Sequence, residues 1–326
     1  MTLGVTMGDS SGVGPEIILK AFRNREIQHP ILVFGDLAVL DYANQHLGFS
    51  VPLRVVADAR DLQDGCLNVV DLALVKATDL QPGRISQRSG AAARAYVVAA
   101  TQAALRGDVA AIVTLPMNKE ATQLSDAAFT GHTELIAGLC GVPMVTIMLA
   151  SDQLIVTHVS THCSLQTAIG RVKKERIQRI IQSTVDAVTR LKPGAKVAVA
   201  GLNPHAGENG LFGREEIEEI QPAVEWAKAQ GMPVEGPVPP DTVFFQAVVR
   251  KRYDAVVCMY HDQGHIPLKL LDFEGGVNVT VGLPIIRTSV DHGTAFDIAY
   301  QGVASTKSFV KAMEFAVRLI GGETKC

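Results

Sequence analysis

Hydrophobic and polar positions fall into alternating blocks from one end of the chain to the other. Short apolar runs end in Gly, Asn, Asp or His, and longer stretches with apolar residues three and four apart follow them. Leu3 to Met7 reads as a strand that breaks at GDSSGVGPE, residues 8–16, and Ile17 to Phe22 as a helix with Pro15 in its first turn. Ile31 to Phe34 predicts a strand, Leu37 to His46 a helix, and Leu53 to Val56 and Leu67 to Val70 two weaker strands. Ser86 to Arg106 is an Ala-rich helix closed by Gly107-Asp108, and Ala110 to Thr114 a buried strand feeding the loop LPMNKE. Thr133 is placed to cap the helix that opens at GHTE. Val142 to Leu149 and Leu154 to Val159 read as adjacent strands, and Val172 to Leu191 as a helix before the strand Lys196 to Leu202. Glu215 to Gln230 predicts another helix, Gly236 to Thr242 a rigid Pro-rich turn, and Ala255 to Tyr260 a buried strand. Strands alternating with helices, with polar loops after the strands, predict a mostly parallel α/β fold.

Composition narrows the class. With 326 residues the chain is comfortable for two domains, and 47% hydrophobic content with only 5% aromatic describes an Ala/Val/Leu/Ile core. A formal net charge of −3 argues against a nucleic-acid or anionic-membrane surface. The five cysteines, Cys66, Cys140, Cys163, Cys258 and Cys326, are odd in number and lack a CxxC, as reduced cytoplasmic thiols would be. Neither a signal peptide nor an apolar segment of membrane length is expected. The expected location is cytoplasmic.

The chemistry concentrates after the strands. His162, His205 and His261 each follow a predicted strand, and three neutral imidazoles with an open fourth position make a catalytic site for zinc or a similar divalent ion. Histidines after strands are also ordinary loop and cap residues, so spacing leaves both readings open. His158 and His162 stand four apart, but the β-branched VTHVST around them favours a strand, with His158 in a packing or supporting role. Lys269, Asn278 and Arg287 are three donors suited to a phosphate or carboxylate, and Asp291-His292-Gly293 follows them. GDSSGVGPE offers backbone N–H groups before a helix, yet matches neither GxGxxG nor the Walker pattern.

Taken in order, GDSSGVGPE, LPMNKEA, GHTELIA, STHCSL, GLNPHAGENGLFG, PPDT, MYHDQGHIPLK and GVNVTVGLPIIRTSVDHGTAFDIA resemble the 4-hydroxythreonine-4-phosphate dehydrogenase family from Val5 to about Lys307. The resemblance implies an isocitrate/isopropylmalate dehydrogenase-like α/β fold, with two α/β/α domains flanking a cleft. One would be a discontinuous nucleotide-side domain of residues 1–127 and 286–326, the other a metal, substrate and dimerisation domain of residues 128–285. It also implies a homodimer with shared active sites. His162, His205 and His261 match the metal positions, for zinc or alternatively cobalt, magnesium, manganese or nickel. His132, Thr133, Lys269, Asn278 and Arg287 match the substrate positions. The loop DHGTAFDIA resembles the adenosine-holding loop of β-decarboxylating dehydrogenases and marks Asp291, His292, Gly293 and Thr294 as the NAD side. Asp241, Asp262 and Lys269 are the candidates for the catalytic base.

Two departures bear on specificity. Ser10-Ser11 stands where family members commonly carry Pro-Ala, which loosens the turn and adds two hydroxyls. His265 stands where the vitamin B6 branch usually has Leu; with His158 and GENGLFG it is more similar to the branch acting on 4-phospho-D-threonate or 4-phospho-D-erythronate. The expected reaction is NAD-dependent oxidation of the C3 hydroxyl of a 4-phosphorylated hydroxy acid, with decarboxylation of the β-keto acid. Three other readings stand beside it. They are a terephthalate cis-dihydrodiol dehydrogenase on the same scaffold, a phosphate acyltransferase-like enzyme, and a non-catalytic metabolite-binding protein.

Overall fold

In the computed structural model, which describes residues 1–273 and 275–321, the first apolar run becomes β1 (Leu3–Thr6), with all four residues buried. Alternation of strand and helix then proceeds through α1 (Gly14–Arg23), β2 (Ile31–Gly35), α2 (Leu37–His46), β3 (Leu53–Val55), β4 (Leu67–Asp71), α3 (Gln87–Leu105), β5 (Ala111–Thr114), α4 (Lys119–Gln123) and α5 (His132–Leu139). Pro15 sits in the first turn of α1, where its missing N–H removes no helical bond. Ser86 caps α3, its Oγ accepting from the Ser89 amide. Asn118 caps α4 in the same way through Ala121.

The chain then runs through β6 (Thr146–Ala150), β7 (Ile155–His158), α6 (Leu165–Gly170), α7 (Lys174–Leu191), β8 (Val197–Ala200), α8 (Gln221–Ala229), β9 (Val234–Val238), α9 (Pro240–Val248), β10 (Ala255–Cys258), α10 (His261–Leu271) and β11 (Val277–Val281). It ends with β12 (Arg287–Ser289) and α11 (Lys307–Gly321). Two units result. One is Met1–Val145 with Leu283–Val317, and the other is Thr146–Gly282 with the stretch from Arg318. The sequence reading places these breaks at 127/128 and 285/286, so α5 is the principal element on which the two divisions differ.

In the first unit the strands run in the order β3-β4-β2-β1-β5-β12, every pair parallel. In the second the order is β11-β6-β7-β10-β8-β9. There β7, β10, β8 and β9 are parallel, and β11, β6 and β7 are successively antiparallel. Parallel strands carry helices on their faces and read as continuous apolar runs, as AVVC in β10 and VAVA in β8 do. Helix α7 packs through Ile177, Ile180, Ile181, Thr184, Val185 and Val188, a three-and-four spacing that makes one apolar face.

Several local expectations are corrected. Gly236 to Thr242 is not a turn: Gly236-Pro237-Val238 completes β9, and Pro240-Asp241-Thr242 opens α9. Pro237 is tolerated there because β9 is the last strand in its order and pairs only with β8. Thr133 does not cap α5; Gly131 holds the cap position without a side-chain bond, and the helix starts at His132. The strand expected from Val142 begins at Thr146, because the Val142 amide still bonds the Ala137 carbonyl at the end of α5. Glu215 to Gln230 is helical as expected, and only its first turn, Glu216–Ile220, is π-helical before α8. Strands β11 and β12 and helices α4, α6, α9, α10 and α11 lie outside the predicted elements.

Cys66, Cys140, Cys163 and Cys258 are free thiols, while Cys326 lies outside the described residues. Among the described residues no helix is long and apolar enough to cross a membrane.

Candidate active site

The three strands β7, β10 and β8 are neighbours, and their parallel pairing brings their C-terminal ends to one edge of the second unit's sheet. His162 follows β7, His205 follows β8, and His261 opens α10 after β10. Ligands of parallel sheets are held at such an edge because the loops there are free to vary. The sheet therefore delivers all three predicted ligands to the same side.

Each ligand position has its own local support. His261 donates from Nδ1 to Asp262 Oδ1 at 2.7 Å, and His205 donates from Nδ1 to Glu208 Oε2 at 2.9 Å. A carboxylate on Nδ1 fixes the tautomer and leaves Nε2 as the nitrogen with a lone pair, the usual arrangement around a metal-binding imidazole. His205 is presented by a run of residues in left-handed backbone conformation, from His205 (φ 52°) to Asn209 (φ 56°). Its ring stands edge-on to Phe212, with centroids 6.0 Å apart. The centroids of His162 and His261 are 5.7 Å apart. Among the described residues no three His, Cys, Asp or Glu side chains are placed to share one ion. One chain therefore brings His162 and His261 together, while His205 makes its ring contacts with Glu208 and Phe212.

Two further histidines join that edge. His158, the last residue of β7, is buried to 1% exposure. Its Nε2 lies 3.1 Å from Nδ1 of His265, whose ring stacks on that of His261 with centroids 3.6 Å apart and planes within 11°. Burial, with His265 adding to it, pushes the His158 imidazolium down to about 3, partly opposed by the Ile147 backbone. The neutral ring is the form that survives inside. Lys269 lies on α10 with its ammonium 5.2 Å from the Phe273 ring centroid. Asn278 is in β11, its Oδ1 buried without a hydrogen-bond partner.

The first unit gathers a second group. Arg287 is 3% exposed, and its Nε and Nη2 donate to Thr114 Oγ1 at 3.1 and 2.6 Å. Burial lowers the guanidinium to about 10, with Glu134 opposing. His132 and Thr133 open α5; burial and the Arg287 charge hold the His132 imidazolium down to about 3. The buried Arg287 cation beside the uncharged His132 ring favours an added anion, and the Glu134 carboxylate partly offsets that attraction.

Asp291, His292 and Gly293 are exposed in the loop after β12. Thr294 O accepts from the Val13 amide at 3.0 Å, joining this loop to GDSSGVGPE. The Ser10-Ser11 departure does not leave two loose hydroxyls. Both residues are fully buried, and their Oγ atoms lie 2.8 and 3.0 Å from Ser89 Oγ of α3. Of the candidate bases, Asp241 is exposed in the first turn of α9, and Asp262 is engaged by His261. No local pattern in the sequence marks this serine trio or the link between His158 and His265. Both depend on residues far apart in the chain, and only the pairing of His158 with HDQGH hinted at the second.

Comparison with known proteins places the chain. The family model described as pyridoxal phosphate biosynthetic protein PdxA matches residues 26–316. The chain belongs to the PdxA family. The D-threonate 4-phosphate dehydrogenase of Salmonella typhimurium LT2 is 46% identical over 326 residues, covering 98% of each chain. A crystal structure of a 4-hydroxythreonine-4-phosphate dehydrogenase from Burkholderia phymatum is 44% identical, with a TM-score of 0.89 over 98% of both chains. A β-decarboxylating dehydrogenase from Thermococcus kodakarensis, 14% identical and covering 96% of this chain and 82% of its own, shares the fold at a TM-score of 0.50. The PdxA relatives are dehydrogenases by name, and the predicted α/β architecture is the one found.

Proposed function

We propose that this PdxA-family chain oxidises the C3 hydroxyl of a 4-phosphorylated hydroxy acid, using NAD and a divalent ion, and that the β-keto acid formed loses CO₂. The observation that carries this reading is the grouping of histidines at the C-terminal edge of β7, β10 and β8, with a carboxylate on Nδ1 of both His205 and His261. The names of the relatives supply the substrate class. Among its members, 4-phospho-D-threonate and 4-phospho-D-erythronate are favoured over 4-phosphooxy-L-threonine, because His158 and His265 are both present and in contact.

His162, His205 and His261 are the residues that would hold the ion, zinc because imidazole, a borderline ligand, suits it, with cobalt, magnesium, manganese or nickel as alternatives. Such an ion, when bound, lowers the pKa of a coordinated hydroxyl and stabilises negative charge on its oxygen. The rest falls to this chain's side chains. Arg287, His132, Thr133, Lys269 and Asn278 grip phosphate and carboxylate, which fixes the reacting carbon and leaves little orientational freedom to lose at the barrier. The hydroxyl proton passes to a base, Lys269 or Asp241 or Asp262, and the C3 hydride passes to the nicotinamide. The carbon–carbon bond to the carboxylate then breaks, and its electron pair flows toward the new carbonyl. Asp291, His292, Gly293 and Thr294 form the loop assigned to the nucleotide.

The reading includes a homodimer that completes the ligand set across the contact between two copies. Its support is a row of bare apolar side chains beginning on the same helix as His261: Ile266 at 64%, Leu270 at 85% and Phe273, just beyond the helix end, at 73% exposure. A monomer in water would not ordinarily leave such a row uncovered.

The test is an NAD-reduction assay with a divalent ion, offering 4-phospho-D-threonate, 4-phospho-D-erythronate, 4-phosphooxy-L-threonine and a cis-dihydrodiol in parallel. NADH and CO₂ from a phosphorylated acid are expected. Turnover of the dihydrodiol alone, or of none of them, overturns the proposal.

A further inference from the structure

Helix α10 carries His261 and His265 one turn apart, so the two rings lie on one face of the helix. They are stacked with centroids 3.6 Å apart and planes within 11°. Stacking restrains His261 from its face, while Asp262 restrains it at the edge through Nδ1. His265 is in turn anchored. Its Nδ1 lies 3.0 Å from the His261 carbonyl, a pure acceptor, and 3.1 Å from His158 Nε2. The proton therefore sits on His265 Nδ1 and is shared between those two acceptors, which puts the His158 proton on its own Nδ1. His158 cannot swing away, because it ends β7, is 1% exposed, and lies beneath the first turn of α10.

That close approach has a visible requirement. A Cβ at residue 264 would come within 2.5 Å of His158 Nε2 and 2.9 Å of Cys258 Sγ, so only glycine lets the helix settle onto the histidine.

We propose that His158 and His265 are a positioning pair that sets the orientation of the His261 ring, so that ion binding depends on two residues that do not themselves ligate. The chain of contact runs from strand β7 through His158 to His265 and then to the face of His261. The inference rests on the metal reading above and goes beyond it, because it assigns the affinity in part to the anchor rather than to the ligands. A leucine at position 265 could fill the same space but could neither stack as a ring nor bond to His158.

The test is cobalt binding to the full-length protein, followed by the visible absorption of the bound ion and by equilibrium dialysis. Replacing the anchor of a metal-bound histidine lowers affinity about 10- to 100-fold. His265→Ala is expected to raise the cobalt Kd by that factor and to change the absorption spectrum. Its melting temperature in chelator should stay at the wild-type value. His158→Phe should do the same, and the double variant should be no weaker than His265→Ala alone, since the two act in series. Should His265→Ala lower the melting temperature in chelator, His265→Gln carries the same expectation without the ring. Unchanged cobalt affinity in the folded position-265 variant, or a double variant whose losses add, overturns the pair while leaving the ligand set standing. Wild-type protein that takes up no cobalt, or a His261→Ala variant that keeps it, overturns the ligand set and the pair together.

Discussion

Two buried titrating groups in the first unit pull stability in opposite directions with pH. Asp9 is 1% exposed, its Oδ1 accepting from the Ser11 amide at 2.9 Å, and burial raises the carboxyl to about 6 against the amides of Ser11 and Asn118. The folded chain thus holds this proton more tightly than the unfolded chain, whose carboxyl titrates at 3.8. Stability from this group is greatest below about pH 4 and declines as pH rises to about 6, by about 3 kcal/mol at 1.36 kcal/mol per unit. His132 has the reverse sign. Its folded value of about 3 lies below the ordinary 6.5, so stability is lost as pH falls through that interval. Asp9→Asn should remove only the first slope. Urea titrations at pH 4 and pH 7 are expected to show the variant gaining on wild type at the higher pH, and an unchanged difference would refute the assignment.

Arg287 gives a prediction at the same scale. Charge-assisted hydrogen bonds are worth about 1.5–3 kcal/mol, so Arg287→Ala should raise KM about 10- to 100-fold for a phosphorylated acid. KM for the unphosphorylated analogue should stay within about twofold, and equal effects on both would remove Arg287 from the phosphate site.

At the scale of elements, helices α3 and α4 meet at a glycine. A Cβ on Gly90 would fall 2.3 Å from the Ala121 carbonyl carbon and 2.4 Å from the Thr122 nitrogen, both backbone atoms that cannot rotate aside. Gly90→Ala is expected to destabilise the protein by about 2–3 kcal/mol, the upper part of the range for overpacking, as read from denaturant midpoints. A midpoint equal to wild type would mean that α4 yields easily.

Legibility was uneven at this scale. The long helices α3 and α7 lie within a residue or two of their expected bounds, because apolar spacing is a local signal. Strand β9 was misread as a turn, since Gly-Pro-Val carries turn chemistry and only its place at the end of the strand order makes it a strand. Helix α10 carries Pro267 in its interior, and no helix was predicted there.

For the whole molecule, the proposal of a shared site makes assembly and ion binding one question. Leu270, 85% exposed, lies on α10 away from any candidate ligand position. Leu270→Glu should convert a dimer into monomers in analytical ultracentrifugation, because a buried carboxylate without a partner is costly. Cobalt affinity should fall with it if two copies complete the ligand set. A monomeric variant that keeps full affinity would place the whole site within one chain. Dialysis against a chelator should abolish NAD reduction, and readdition of the ion should restore it; the dimer should dissociate more readily without the ion, since a ligand set shared by two copies couples the two equilibria.

Periodicity alone determined that strands and helices alternate, and that polar residues gather where apolar runs stop. Apolar spacing reports which face of an element is buried, and that information is local. What it could not determine is which strand lies beside which. The neighbourhood of β7, β10 and β8 is a pairing of segments about 50 to 100 residues apart, set by the packing of the whole second unit. Only that pairing puts His158 under His265, whereas the stacking of His265 on His261 follows from their spacing of four on one helix. It likewise takes the tertiary structure to bring Ser89 to Ser10 and Ser11, and Arg287 to Thr114. The residue types were written in the chain, but their contacts came from the global minimum of packing, in which distant segments compete for the same buried space.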